Sequence, residues 1–148
     1  MSSRRMTTIV SVGYEGRTAE ELVRILEQSK VDVLVDVRLT PISRKKGLSK
    51  KALSAALAVA GIEYRHEPEL GNPKSNRDPF RKGLKSARTR YEAHLSNGAE
   101  ASFDATIALA HESRIALLCF ERDHSKCHRS CIIERAQKAD PALSVLKV

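Results

Sequence analysis

Two stretches of this chain, VDVLVDV at residues 31–37 and RIALLCFE at 114–121, are dominated by apolar residues rather than alternating cleanly with polar ones. A strand with one face in water alternates. Near-continuous apolar runs of this length belong to strands covered on both faces, which is the situation of a mostly parallel sheet sandwiched between helices. The rest of the chain supplies the cover. TTIVSVG (7–13) is a further buried strand ending in a glycine. TAEELVRILEQSK follows, with the Thr18-to-Glu21 spacing of a capping box and Leu22, Ile25 and Leu26 on one helical face. Ser49 opens the helix SKKALSAALAVAG, stopped at Gly61. IEYRHEP is a third strand, ended by Pro68, and ALSVLKV closes the chain as a short last one. Strand and helix in alternation predict an α/β fold: a three-layer single domain over residues 1–148, with about five mostly parallel strands and helices on both faces.

The segment LGNPKSNRDPFRKGLKSARTRY, polar and basic with two prolines and two glycines, is expected as an excursion or mobile loop running into a helix over about 86–96. A second amphipathic helix is expected over about 100–112. CHRSCIIERAQKA is the last helix, beginning at Cys127.

In an open parallel sheet, ligands bind beyond the carboxyl ends of the strands. Four strand exits deliver unusual residues to that edge. The first carries Gly13, Tyr14, Glu15, Gly16 and Arg17. Asp36 and Arg38 follow the second, with Pro41, Ser43 and Arg44 after them. Tyr64, His66, Glu67 and Gly71 come from the third, and Cys119, Glu121, Cys127, His128 and Arg129 from the fourth.

All three cysteines lie between residues 117 and 133. Cys127 at a helix N-terminus would meet unpaired N–H groups and a dipole that favour a thiolate, with Arg129 adding positive charge. The same turn could instead cradle a phosphate or carboxylate, completed by His128 and Arg129. Cys119 would face the same crevice. Cys131 is expected to pack in the core. Glu121 is a candidate general base or a partner for Arg38. Asp36 and Arg38 share a strand face, as an ion pair or as an orienting device for a catalytic group. Tyr14, Tyr64 and Gly13 join Arg38, Ser43 and Arg44 as candidate substrate- or anion-binding positions. No metal is expected, because Cys-x-x-Cys knuckles are missing and Cys127 and His128, adjacent on a helix, would project apart. No cofactor signature is present: GYEG is not a dinucleotide fingerprint.

The formal charge of +8 favours anionic partners, either an anionic small molecule or nucleic acid. The N-terminal MSSRRMTTIV has no signal-peptide core, no apolar run approaches membrane-spanning length, and three clustered cysteines suit a reducing compartment. The expectation is a cytoplasmic protein with no membrane partner. Three functions remain open: an enzyme acting on an anionic, nucleotide-like or phosphorylated substrate through a Cys/Glu/Arg site; a nucleic-acid-binding or regulatory module using the basic segments 43–51 and 74–90; and a redox or sulfur-handling protein using Cys119 and Cys127 as a pair.

Taken together, the TI-x-x-x-GY strand exit, VDVR followed by Pro and Ser-Arg, AGIEY-x-H-x-PELG and LLC-x-E-x-D-x-x-x-CHR resemble the DUF488 family. The resemblance runs from about Ile9 to the last helix. It implies an α/β fold and signature positions at Gly13, Asp36, Arg38, Pro41, Ser43, Arg44, Tyr64, Leu70, Gly71, Cys119, Glu121, Cys127, His128 and Arg129, with no established reaction attached. GYEGRT departs from the commoner GHS-type first exit. A looser similarity to rhodanese-type and cysteine-phosphatase domains is analogy alone: the phosphatase spacing of Cys, five residues, Arg fails, since Ser125 stands sixth from Cys119 and Ile133 sixth from Cys127.

Overall fold

The computed structural model describes residues 7–148; the first six residues of MSSRRMTTIV, read as lacking a signal-peptide core, lie outside them. Strands β1 (Thr8–Gly13), β2 (Val33–Asp36), β3 (Glu63–His66), β4 (Ile115–Cys119) and β5 (Ser144–Lys147) form one sheet in the order β3-β2-β4-β1-β5. Every pairing is parallel. Helices α1 (Ala19–Gln28) and α2 (Lys50–Val59) cover one face. The other carries α3 (Lys74–Arg81), α4 (Lys85–Asn97), α5 (Glu100–Glu112) and α6 (Arg129–Ala139).

The apolar runs behave as their composition requires. Along β4, Ile115, Leu117 and Cys119 enter the core under α3–α6, while Ala116 and Leu118 enter the core under α1 and α2. All five residues of β4 are buried. In β2, Val33 and Val35 go one way and Leu34 the other. Helix α1 starts with the capping box expected at Thr18 and Glu21, both reciprocal bonds at 3.1 Å. Gly61 follows α2 with φ +77°, the left-handed turn a glycine makes at least cost.

The basic middle segment is helical where a loop was expected. Residues 74–81 form α3 despite Pro73 before it and Pro79 within it. Local propensity opposes this helix, and burial overrides it. Phe80 is inserted into the core, and the buried Asn76 amide donates to Asn72 Oδ1 and the Ala87 carbonyl, both at 3.0 Å. The following helix, α4, begins at Lys85 and is held from beneath by Tyr91, whose hydroxyl donates to the Leu70 carbonyl at 2.6 Å.

β1 and β4 are neighbours whose chains leave for opposite faces, β1 into α1 and β4 into α6. Such a divergence opens a crevice at the strands' carboxyl ends. Its two lips stay close because the ladder continues past the strands: the Tyr14 N–H bonds the Cys119 carbonyl and the Glu15 N–H bonds that of Phe120. The approach is so tight that a Cβ on Gly13 would sit 2.0 Å from the Glu121 carbonyl oxygen. Gly13→Ala is therefore expected to destabilise the fold by about 2–4 kcal/mol in denaturant unfolding. Gly61→Ala, strained in φ but facing open space, should cost only about 1–2 kcal/mol.

Candidate functional site

The crevice between β1 and β4 opens into a cleft of about 240 Å³. The exit of β1 contributes Tyr14. From the chain after β2 come Arg38, Leu39, Thr40 and Ile42, and from the α3 region Asn72, Arg77, Phe80 and Arg81. β4 and the turn beyond it place Cys119, Phe120, Glu121, Lys126, Cys127 and His128.

Cys119 and Cys127 meet at this cleft with their sulfurs joined as a disulfide and their Cα atoms 7.5 Å apart. Disulfides usually span Cα separations of about 4.4–6.8 Å, so the backbone frame is wider than a structural cross-link needs. Cys127 lies two residues before the first residue of α6, in extended conformation, rather than on the helix itself. From there its sulfur accepts the backbone N–H of Arg129 at 3.5 Å, the helix-terminal donor that the sequence reading sought. Glu121 stands on the other side, with Oε2 3.1 Å from the Cys119 sulfur and Oε1 accepting from Arg81 at 2.9 Å. Its ion-pair partner is Arg81, not Arg38. That contact raises the Arg81 guanidinium above its ordinary value.

His128 is buried beside the pair. Its Nε2 donates to the Val37 carbonyl at 2.9 Å, which turns Nδ1 toward the Cys127 sulfur, 3.6 Å away. The expectation that Cys127 and His128 project apart fails because both precede the helix. Among the described residues, the donor atoms of Cys119, Cys127 and His128 all lie within 4.8 Å of one another. Burial drives the His128 imidazole down to about 4, opposed by its bond to Val37 and by Glu121 and reinforced by Arg129. The ring is neutral at physiological pH. Cys131, by contrast, is buried in the core as expected, its thiol pushed up to about 11 by desolvation.

Several other expected site residues have structural duties. Asp36 is fully buried, with its carboxylate accepting from Arg38 Nε and Nη2, the Arg38 backbone N–H and the Tyr64 hydroxyl. Occupied in this way, it is not among the residues that line the cleft. Tyr64, held to Asp36 and raised above the ordinary phenol range by burial, is likewise outside it. Arg38 borders the cleft, stacks over Tyr14 at 5.4 Å and donates to the Leu48 carbonyl, so its charge is spent within the wall. Ser43 caps the Lys45 N–H and bonds Ser49 through its own backbone, while Arg44 is exposed; neither lines the cleft. Gly13 contributes close packing. Arg129 turns inward, fully buried, with Nε donating to Ser11 Oγ at 2.9 Å, and burial lowers it to about 10.

Besides Arg38, which is paired with Asp36, the cations that line the cleft are Arg77, Arg81 and Lys126, opposed by Glu121. Two of them sit on α3, the helix that the sequence reading took for a loop. Their i, i+4 spacing, with Phe80 between, was the available signal, hidden by the flanking prolines.

A family model described as a domain of unknown function, DUF488, matches residues 18–136. The chain belongs to the DUF488 family. The match starts at Thr18, the last residue of the GYEGRT segment that departs from the family's commoner first exit, and runs into α6. No curated protein and no solved structure matches significantly. Among the described residues no helix is long and apolar enough to cross a membrane.

The neutral His128 has a consequence for folding. Unfolded imidazoles bind protons near 6.5, whereas the folded ring resists protonation down to about 4. Stability is thus complete above about pH 6.5 and lost as pH falls toward 4, by on the order of 3 kcal/mol for this group. His124, lowered to about 4 mainly by burial, acts in the same direction. Urea midpoints measured between pH 7.5 and 4.5 should fall steeply for the native chain and less steeply for His128→Gln.

Proposed function

We propose that this protein is an enzyme that acts on a small anionic substrate through the sulfur of Cys127. The observation that carries the reading is the placing of a cysteine pair within a cleft lined by Arg77, Arg81 and Lys126. The Cys127 sulfur accepts a backbone N–H from the start of α6, a contact that in the reduced form favours thiolate over thiol. The cations hold the negative group of the substrate so that its electrophilic centre faces that sulfur. Glu121, in contact with the Cys119 sulfur, takes the Cys119 thiol proton when that second sulfur is needed. Where the electrophile is itself a sulfur, the balance is complete. The Cys127 thiolate displaces one thiolate from a substrate disulfide. Cys119, deprotonated by Glu121, then displaces the other and leaves the Cys119–Cys127 disulfide. The substrate gains the two electrons that the pair gives up.

Binding of nucleic acid through the basic segments is the competing reading. Arg77 and Arg81 favour a small anion, since both line the same cleft as the two sulfurs.

The probe is a pair of small alkylating agents of nearly equal size, neutral iodoacetamide and anionic iodoacetate, with chelator present and modified cysteines identified by mass spectrometry. Cys127 should react with an apparent pKa below the ~8.5 of a free thiol. It should also favour iodoacetate by about tenfold relative to a free thiol, equivalent to about 1.4 kcal/mol of anion recognition. Arg77→Ala with Arg81→Ala should abolish that preference. An unactivated Cys127 with no preference for the anion contradicts the proposal, and retention of salt-sensitive nucleic-acid binding would then favour the second reading.

A further inference from the structure

The contact between Cys127 and His128 has a length that disulfide chemistry does not require. A tetrahedral metal with bonds of about 2.3 Å to sulfur and about 2.0–2.1 Å to nitrogen places those two ligand atoms about 3.6 Å apart. The Cys127 sulfur and His128 Nδ1 are 3.6 Å apart. His128 is also oriented as a metal ligand should be. Its far nitrogen donates to the Val37 carbonyl, which fixes the tautomer and leaves the Nδ1 lone pair facing the sulfurs. Cys127 carries an outer-shell bond of its own, the Arg129 N–H to its sulfur. The donor atoms of Cys119, Cys127 and His128 lie within 4.8 Å of one another, and once the disulfide is reduced the 7.5 Å Cα separation leaves the two sulfurs room to part around an ion.

We infer that the reduced protein binds one thiophilic d10 cation, zinc in the first instance, through Cys119 Sγ, Cys127 Sγ and His128 Nδ1, with a fourth position open to the cleft. Two thiolates and an imidazole are a donor set that selects such ions over calcium or magnesium. Three protein ligands and an open position are the pattern of catalytic rather than structural zinc. All three ligands line the cleft that Arg77, Arg81 and Lys126 border, so an anion held by these cations lies beside that position. Binding displaces the two thiol protons, one of which Glu121 is placed to accept from Cys119. Formation of the Cys119–Cys127 disulfide consumes both thiolates and excludes the metal. The inference concerns the same sulfurs as the thiol enzyme but does not rest on that reading, since metal binding is measured with no substrate.

The test is titration of the reduced full-length protein with zinc against a chromophoric chelator, repeated with cobalt to read its thiolate charge-transfer absorption. One equivalent should bind, with that absorption present. Cys119→Ser, Cys127→Ser and His128→Gln should each weaken binding by at least about tenfold, while Cys131→Ala should leave it unchanged. Should a variant fail to fold, the native protein supplies a second readout: zinc should protect Cys119 and Cys127 together from alkylation. Failure of the folded, reduced protein to bind an equivalent, or affinity and cobalt spectrum unmoved in folded His128→Gln, overturns the inference. Neither result touches the anion preference of the chelator-treated protein, so the two proposals fail separately.

Discussion

The buried pair of Asp36 and Arg38 holds the carboxyl edge of the sheet together. Asp36 ends β2 without exposed surface, and Arg38, two residues further on, closes on it. A carboxylate so placed is tolerable only if its acceptor sites are filled, and here two Arg38 nitrogens, a backbone N–H and the Tyr64 hydroxyl fill them. The network ties β2 to β3 through Tyr64. It reaches the loop before α2 through the Leu48 carbonyl, and β1 through the Tyr14 ring beneath the guanidinium. Removing one partner from such a pair usually costs about 3–5 kcal/mol, because the other charge is left buried alone. The wall of the cleft is therefore cross-linked by contacts that do not depend on a ligand.

Against that wall the structure sets a softer assembly. Cys119 comes from a fully buried strand, Cys127 and His128 from the short turn before α6, and Arg77 and Arg81 from a helix interrupted by proline. The sulfurs, the imidazole and the cations reach one cleft from separate parts of the chain, each held by its own backbone contact: Arg129 N–H for Cys127, the Val37 carbonyl for His128, the Asn72 carbonyl for Arg77. Arg129, fully buried and without a carboxylate partner within ion-pair distance among the described residues, adds a fixed positive charge beneath. That charge opposes protonation of His128 and favours anions and thiolates alike.

Much of this architecture was legible in the sequence for a simple reason. Burial on both faces writes itself as an apolar run, as in 31–37 and 114–121, and helix starts write themselves as capping spacings such as Thr18 to Glu21. The edge to which residues are delivered follows from parallel topology alone, so Tyr14, Cys119, Glu121, Cys127 and His128 could be expected near one another. Side-chain direction is not written that way. Arg129 and Arg38 look equally suited to hold an anion, yet one bonds Ser11 in the interior and the other is consumed by Asp36. Ser43 and Gly13 proved to be a turn cap and a close-packing point. Helix α3 was hidden because its stability comes from Phe80 and Asn76 in a core that only the tertiary fold supplies.

On the proposed reading, one cleft unites anion-binding cations with the sulfurs. Amide chemical-shift mapping, as inorganic phosphate is titrated into the reduced, chelator-treated protein, decides whether it does. The prediction is saturable shifts concentrated at Arg77, Arg81, Lys126, Cys127 and His128. Shifts confined to the exposed Arg44–Lys46 loop, or spread evenly over the basic surface, would contradict it.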